Sequence, residues 1–516
     1  MRLLKVISVC LLLVYNVESY KILGLFPTAG ISHHILTSKL MEALAEAGHE
    51  ITMVSAYPTK NVPKHWKYTD IVLDGLAEKF EEFMKDSNFY ESDKASPIAR
   101  IRNMTKMIID LTNDTITHPN MIKLTKSNKK FDALIMEQFN QDGLKAYASI
   151  FNCHQILLSS VGPNSWVNPT VGNPQPISYV PHLLAGDFSK NLSFWNRARN
   201  LALYIFEYLM LTFYTHPFQD ELIKGICSDC PPVSELHTNA SLVLLNSHTS
   251  IYAALPMVPN MVEIGGYFID PPKALPKDLQ KFMDNATDGV IYFSMGSNLK
   301  SKDLPEATKN GILKIFGKLK QRVIWKFEED LPNKPANVLI QKWCPQADIL
   351  AHPNMKLFIT HGGLLSATET IYHGIPILAI PVFADQPSNA ARAEAGGYGL
   401  KLHYREFTIE KFESHLNELL NNPKYYKVAK ERSRIYHDRP IKPRDAAVYW
   451  VEYVLRHNGA PHLKVAGRNL VWYKYFMVDV FAALFVGFGG FVIVMALLVK
   501  KVCCQSKKSN EKQKTS

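Results

Sequence analysis

The chain has 516 residues, 47 % of them hydrophobic and 20 % charged, with 26 glycines and 30 prolines. That length calls for two or three domains, and the composition excludes disordered, collagenous and low-complexity chains. Basic residues exceed acidic ones by 58 to 47, for a net charge of +11. Six lysines against one glutamate lie after Val499, so nearly half of the excess sits in a short tail, the rest is spread over a long chain, and a nucleic-acid-binding face is not expected.

Arg2 and Lys5 followed by the apolar run Val6–Val14 predict a secretory signal over 1–19; the run is too short to cross a bilayer. Lys21–Phe26 reads as a strand, Pro27–Gly30 as a turn, and Ser32 as the cap of a helix with apolar Ile35, Leu36, Leu40, Leu44 and Ala47. Gly48 ends that helix and Glu50–Ser55 is the next strand. A β-α-β unit of this kind implies a parallel sheet. Phe131–Met136 and Gln155–Ser159 read as later strands of the same sheet, with irregular and helical chain between. Leu201–Tyr214 is apolar except for Glu207. Too short to span a membrane, it is either a buried helix or one leaning on a membrane surface.

Cys153, Cys227, Cys230 and Cys344 are too few for a disulfide scaffold. Cys227 and Cys230 either close a small loop or remain two thiols. Asn-x-Ser/Thr sites at Asn103, Asn113, Asn191, Asn239 and Asn285 are compatible with a glycoprotein.

A second series of buried-strand runs begins near 288: Val290–Phe293, Arg322–Phe327, Val338–Ile340, Lys356–Thr360 and Ile377–Ile380. Proline pairs at 231–232 and 271–272 punctuate the boundary, leaving a link within 245–285. The expected fold class is α/β, with two facing Rossmann-like, doubly wound domains over 20–250 and 285–440 and a return segment over 441–475. Ligands of such sheets sit beyond the carboxyl ends of strands. Chemistry is therefore expected at Pro27–His34, Glu137–Asp142 and Ser294–Ser297, and after Gln341, Thr360 and Ile380.

Val480–Val499 is a run of twenty uncharged residues. With an aromatic belt at Trp472, Tyr473 and Tyr475 and lysines at 500 and 501, it predicts a transmembrane helix over 476–499 and a basic cytosolic tail over 500–516. Lys512 and Lys514, fifth and third from the end, resemble a dilysine retrieval signal. Cys503 and Cys504 are palmitoylation candidates or part of a solvated stub. Signal, span and tail together predict a single-pass type I protein of the endoplasmic reticulum.

At Thr360-His361-Gly362-Gly363 a strand leaves for a helix. Glycines let backbone approach an anion, and the free N–H groups of a helix start point at it. Ser366 offers a hydroxyl, and Glu369 can accept from a ribose. Phe293-Ser-Met-Gly296-Ser297 supplies another glycine turn. Trp343 can present a flat face to a base, or belong to the core. Asp385-Gln386 suits sugar hydroxyls.

Trp343-Cys-Pro-Gln346, His352-Pro, Phe358-Ile-Thr-His361-Gly-Gly363, Ser366, Glu369, His373-Gly-Ile-Pro376 and Phe383-Ala-Asp385-Gln386-Pro together resemble the sugar-nucleotide signature of the UDP-glycosyltransferase family, closest to its insect, membrane-bound members. Leu364-Leu365 departs from relatives that have Asn before the Ser, so one phosphate contact is lost or comes from backbone. The resemblance implies that Trp343 stacks on uracil and that Gln346 and Glu369 hold the ribose. It places His361, Gly363, Ser366 and Ser297 around the diphosphate, and Asp385 and Gln386 on the sugar. No Asp-x-Asp occurs in the chain, so neither a metal nor another cofactor is expected and the UDP-sugar is a co-substrate.

The family keeps a catalytic His at the first strand-to-helix turn, which points to His33 as the base that deprotonates a small lipophilic acceptor. Its carboxylate partner is Glu137, where the family has Asp, or Asp142 one turn on. The expected reaction is inverting transfer of a hexose, glucose by analogy with insect relatives. Rival readings are a carrier of hydrophobic ligands that has lost catalysis, and a lipid glycosyltransferase; a homo-oligomer is possible.

Overall fold

The computed structural model describes residues 18–86, 96–185, 192–296 and 299–514, with the side chains of 85, 86 and 502–514 outside that description. The expected signal run, Asn191, Ser297 and the Cys503–Cys504 side chains therefore lie outside the described residues. The chain forms two compact units, Met1–Lys464 and Val465–Ser516.

The first unit holds two all-parallel sheets. One has seven strands: β1 (Lys21–Phe26), β2 (Glu50–Ser55), β3 (Tyr68–Val72), β4 (Ala133–Glu137), β5 (His154–Ser159), β6 (Leu242–Leu245) and β7 (Met261–Glu263), in the order 3-2-1-4-5-6-7. The other has six: β8 (Val290–Ser294), β9 (Arg322–Lys326), β10 (Val338–Gln341), β11 (Met355–Thr360), β12 (Ile377–Ala379) and β13 (Gly399–Lys401), in the order 10-9-8-11-12-13. The central strands β1, β4, β8 and β11 are buried on both faces along most of their length, as parallel strands covered by helices must be, which is why they read as apolar runs.

The strand order reverses between β1 and β4 in the first sheet and between β8 and β11 in the second. At such a switch point the connections leave to opposite sides and open a crevice above the strand ends. β1 pairs with β4 (Leu25 opposite Met136), and β8 pairs with β11 (Ser294 opposite Thr360). The residues that follow these four strands are thereby set side by side.

Several expectations need correction. A boundary at 250 is too early, because β7 completes the first sheet at 261–263. β3, β6, β7 and β13 were not anticipated; they are short, and β3 is partly exposed, so no long apolar run marks them. Helix α1 (Ile31–Glu46) starts one residue before Ser32, from Gly30, with no side-chain cap. Ser32 instead lines a cavity.

Leu201–Tyr214 is not a buried helix. Helix α2 (Phe194–Met210) runs into a π-helical turn, Leu211–Thr215, and both carry exposed apolar side chains. Helix α3 (His216–Lys224) follows, and Cys227 and Cys230 form a disulfide.

Helices α4 (Leu364–His373) and α5 (Gln386–Ala395) follow β11 and β12. Helix α6 (Pro443–Arg456) returns to the first sheet, burying Ala447, Val451 and Val454 in the same core as Leu40, Leu44 and Leu244. In the second unit, helix α7 (Val478–Lys514) includes a 24-residue segment, 478–501, whose most apolar 18 residues have a mean hydropathy of 2.6. That is long and apolar enough to cross a bilayer.

Candidate active site

His33 lies in the first turn of α1, immediately above β1. Its Nδ1 is 2.6 Å from Glu137 Oε1 at the end of β4. The switch point makes this contact, since the chain separates the two residues by 104 positions. Gly30 makes room for the ring: a Cβ there would sit 2.9 Å from His33 Cδ2. Phe139 packs edge-on against the imidazole at 5.5 Å.

Burial alone would lower the pKa of His33. The charge and hydrogen bond of Glu137, with a smaller contribution from Asp385, outweigh it and raise the pKa above its ordinary value. With Nδ1 held by a buried carboxylate, Nε2 is left as the proton-accepting nitrogen.

Asp142 is not the partner of His33. Its Oδ1 is 2.7 Å from Lys145 Nζ and 3.0 Å from His237 Nδ1, and its Oδ2 is 3.3 Å from His216 Nε2. All four residues are buried. Burial pushes the Asp142 carboxyl up, but His237, Lys145 and His216 hold it well below the usual range. A carboxylate already paired with a buried lysine and flanked by two imidazoles is engaged in its own network, away from His33. It faces α3 because Asp142 starts a 3-10 turn, Asp142–Lys145, that runs away from the strand end.

The second half presents a glycine-lined turn. Gly362 (φ 82°) and Gly296 (φ 86°) adopt left-handed backbone, which glycine tolerates without a steric penalty. His361 sits between two of the glycines. A Cβ on Gly363 would lie 2.5 Å from its Nε2, and one on Gly296 2.6 Å from its Cε1. Burial, assisted by Lys326, pushes His361 down to about 4, so the imidazole is neutral at physiological pH and acts as a hydrogen-bonding group.

Lys326 also lines this side of the cavity, a basic residue that sequence reasoning missed. It ends β9, its Nζ donates to the Gly296 carbonyl at 2.6 Å and lies 5.6 Å from the centre of the Trp343 ring. A lysine inside the apolar run Arg322–Phe327 was the available signal. With the N-terminus of α4 it makes an anion-binding corner.

Trp343 is 69 % exposed and lines the cavity, so it does not belong to the core. Gln346 Nε2 donates to Glu369 Oε2 at 2.5 Å and to Ser366 Oγ at 3.0 Å. Burial raises Glu369 to about 7, partly offset by Gln346. In the turn after β12, Ala384 takes a left-handed φ of 53°, a strained conformation for a residue with a Cβ. Gln386 Oε1 steadies that turn by accepting from the Val382 and Phe383 amides at 2.9 and 3.1 Å.

Asn389, also not foreseen, donates to Asp385 Oδ2 at 2.7 Å and to the Gly362 carbonyl at 3.0 Å, tying two loops together. Burial raises the Asp385 carboxyl.

These groups share one cavity of about 490 Å³. His33 lines it from one half; Trp343, Gln346, His361, Gly363, Ser366, Glu369, Asp385 and Gln386 line it from the other. Its remaining wall in the first half is mostly apolar, with Met104, Phe139, Trp166, Leu183 and Leu184 beside the hydroxyls of Ser32 and Ser160. Such a site can hold a polar anionic molecule on one side and an apolar one on the other, with an imidazole base between them.

The sequence profile of the UDP-glucoronosyl and UDP-glucosyl transferase family matches residues 21–515. The chain belongs to the UDP-glycosyltransferase family. It is 35 % identical over 495 residues to UDP-glycosyltransferase UGT5 of Dactylopius coccus, covering 93 % of this chain and 91 % of that one. It is 30 % identical over 520 residues to human UDP-glucuronosyltransferase 1A9, covering 96 % and 94 %. Among solved structures, a UDP-glucosyltransferase from Polygonum tinctorium capable of glucosylating indoxyl superposes with a TM-score of 0.58 at 16 % identity, covering 85 % of this chain and 99 % of that one. The glycosyltransferase VinC in complex with DTDP does so with 0.58 at 15 %, covering 84 % and 100 %. These identities are low enough that the likeness is one of fold, the two-domain GT-B arrangement. This UDP-glycosyltransferase is thus an enzyme that moves a glycosyl group from a UDP-sugar to a small acceptor, and among its described residues it carries one apolar helix of membrane-spanning length.

Proposed function

We propose that the enzyme transfers a neutral hexose, glucose first among them, from its UDP derivative to the hydroxyl of a small lipophilic acceptor, with inversion at the anomeric carbon. The observation that carries the reading is the 2.6 Å contact between His33 and Glu137 in the wall of a cavity whose far side is the glycine turn around His361. As the acceptor oxygen attacks the anomeric carbon, its proton passes to His33 Nε2 and Glu137 stabilises the imidazolium that forms. The bond from that carbon to the UDP oxygen breaks in the same displacement, which inverts the centre. The negative charge that develops on the leaving diphosphate meets the N-terminus of α4, Lys326 and the His361 imidazole. Trp343 serves the uracil, Gln346 and Glu369 the ribose, and Ser366 the phosphates.

Asp385 and Gln386 suit sugar hydroxyls as acceptors and donors. A second carboxylate, Glu137, lies close behind His33, and Arg392 is engaged away from the cavity with Asn389 Oδ1 (2.7 Å) and the Tyr252 ring (4.3 Å). This acidic end favours an uncharged hexose over a uronate. The chain's lack of Asp-x-Asp, together with the basic corner, supports transfer without a resident metal. The signal-like start, the apolar helix and the lysine tail support a single-pass type I protein with its catalytic halves in the lumen of the endoplasmic reticulum. The hydrogen bond between His33 and Glu137 supports a working base over a carrier that has lost catalysis.

The test is transfer of labelled sugar by the full chain in microsomes, from UDP-glucose, UDP-galactose and UDP-glucuronate to a panel of phenols. Glucosides with inverted configuration are expected. UDP binding without transfer from any donor would overturn the proposal.

A further inference from the structure

The two halves are joined by the segment 264–273, which follows β7 and lines one side of the cavity with Phe268, Ile269, Asp270, Pro271 and Lys273. A connector between domains is ordinarily exposed chain with few contacts. This one is bonded on both sides. The Ile264 and Gly265 amides donate to the Leu245 and Ser247 carbonyls at 2.8 and 3.0 Å, continuing the pairing of β7 with β6. The second half grips the same point: Tyr436 Oη, on the helix Pro423–His437, donates to the Gly265 carbonyl at 2.7 Å. A Cβ on Gly266 would lie 1.6 Å from that hydroxyl oxygen, so helix and connector are in direct contact. At the other end the Lys273 amide donates to Asp348 Oδ1 at 2.7 Å, in the helical turn that begins at Gln346.

Between these anchors two side chains reach α1. Tyr267 is buried among Leu36, Leu40 and Leu44, and its Oη donates to the Leu36 carbonyl at 2.8 Å. Asp270 Oδ2 pairs with Lys39 Nζ at 2.8 Å, and Glu42 holds the same ammonium at 2.8 Å. Leu36 and Lys39 follow His33 on the same helix. A carbonyl inside a helix already has the amide four residues on as its donor, so the Tyr267 hydroxyl is not needed to satisfy the backbone. A phenylalanine would fill the same space with no polar atom to bury. What the hydroxyl adds is a fixed height and rotation of α1 against the connector. The start of α1 has no side-chain cap, so His33 depends on tertiary contacts for its place. Burial and the charge of Glu137 push the Tyr267 phenol well above its ordinary value, and it stays a donor across the working pH range.

We propose that Tyr267 and Asp270 are positioning residues: they tie α1 to the connector, and through Gly265 and Lys273 to the second half, so that His33 is registered against the donor-binding turn. This rests on His33 as the base, the reading given above. A base acts only within hydrogen-bond reach of the proton it takes, and a displacement of about 1 Å can cost ~10²-fold in rate. Tyr267 is not part of the cavity wall, so its loss should be felt in turnover and not in binding.

The experiment measures initial rates of the purified full chain with a phenol and the UDP-sugar it turns over fastest, per mole of enzyme competent to bind UDP. Tyr267→Phe should lower kcat about five- to tenfold with both KM values unchanged. The acid limb that His33 sets with Glu137 and Asp385 should move to lower pH as α1 loosens. Asp270→Asn should lower kcat similarly, and Asp270→Glu, which keeps a carboxylate for Lys39, should restore most of it. Tyr436→Phe, a change in the second half, should also lower kcat, and added to Tyr267→Phe it should cost little more than Tyr267→Phe alone. A lower unfolding temperature with kcat and acid limb unchanged would overturn the proposal, as would a rise in KM that accounts for the whole effect. Losses that multiply in the double tyrosine variant would overturn transmission through the connector. If Tyr267→Phe fails to fold, the contrast between Asp270→Asn and Asp270→Glu decides. His33→Ala, measured alongside, keeps the two readings apart: turnover that survives it refutes the base, whereas its loss together with an unaltered Tyr267→Phe refutes the positioning alone.

Discussion

Glu137→Gln tests the catalytic assignment most directly. The carboxylate contacts His33 Nδ1 at 2.6 Å in a buried position. An amide oxygen can still accept the Nδ1 proton and keep the tautomer, but it no longer stabilises an imidazolium. A hydrogen bond to a charged group contributes about 1.5–3 kcal/mol, so kcat should fall about 10- to 150-fold, given about 1.4 kcal/mol for each factor of ten. Glu137→Ala also frees the tautomer and should fall further, by about 10³–10⁴. The pH profile separates this from a structural role. In the wild type His33 is raised above its ordinary value and must lose its proton to act. Activity therefore rises with pH through a value above about 6.5. In the Gln variant the remaining burial lowers the imidazole pKa, and the acid limb should move below about 6.5 even as the plateau drops. Glu137→Asp withdraws the carboxylate by about 1.5 Å, out of hydrogen-bond reach unless α1 shifts, so it should recover only part of the activity. Steady-state rates from pH 5 to 9 with a saturating phenol provide the assay. An acid limb that stays in place in both variants would refute the dyad.

Asp142→Asn should leave Lys145 buried without its carboxylate, lowering stability by about 3–5 kcal/mol; thermal unfolding followed by circular dichroism reads the drop, and the native fraction should keep its KM values. Because the Asp142 carboxyl is depressed, its stabilisation is complete above about pH 4 and is lost as pH falls through the lower folded value. Trp343→Ala should weaken UDP binding about 5- to 150-fold in calorimetry, from the loss of one base-stacking contact worth about 1–3 kcal/mol. Gly363→Ala places a methyl group against His361 and should weaken UDP binding at least tenfold, with little effect on thermal stability. Glu369, raised to about 7, accepts from both ribose hydroxyls most strongly when ionised. UDP affinity should therefore increase from pH 6 to 8 with proton release on binding, and Glu369→Gln should flatten that dependence.

Reading the chain alone identified the strands buried on both faces, because an apolar run of five or six residues between turns has few other uses. The glycine and histidine pattern from Trp343 to Gln386 was legible for a similar reason. Anion contact through backbone demands glycines at fixed offsets from a strand end, and such offsets survive as spacing. Short or half-exposed strands such as β3 and β13 left no such trace. Neither did Asn389, whose part is to connect Asp385 with the Gly362 carbonyl, a relation between loops that no spacing records.

The amino-acid order by itself was sufficient for the two-sheet architecture and the apolar helix, which follow from local periodicity, while the histidine at the first turn stood out only through the family resemblance. The choice between Glu137 and Asp142 was a matter of tertiary structure. Five positions separate them in the chain, but β4 ends at Glu137 beside β1, and the turn beginning at Asp142 carries that carboxylate to Lys145, His216 and His237. The direction in which α2 faces was settled in the same way: its run of apolar residues permits burial or exposure, and the polar partners that Asn200 and Glu207 find inside the protein turn the apolar stripe outward.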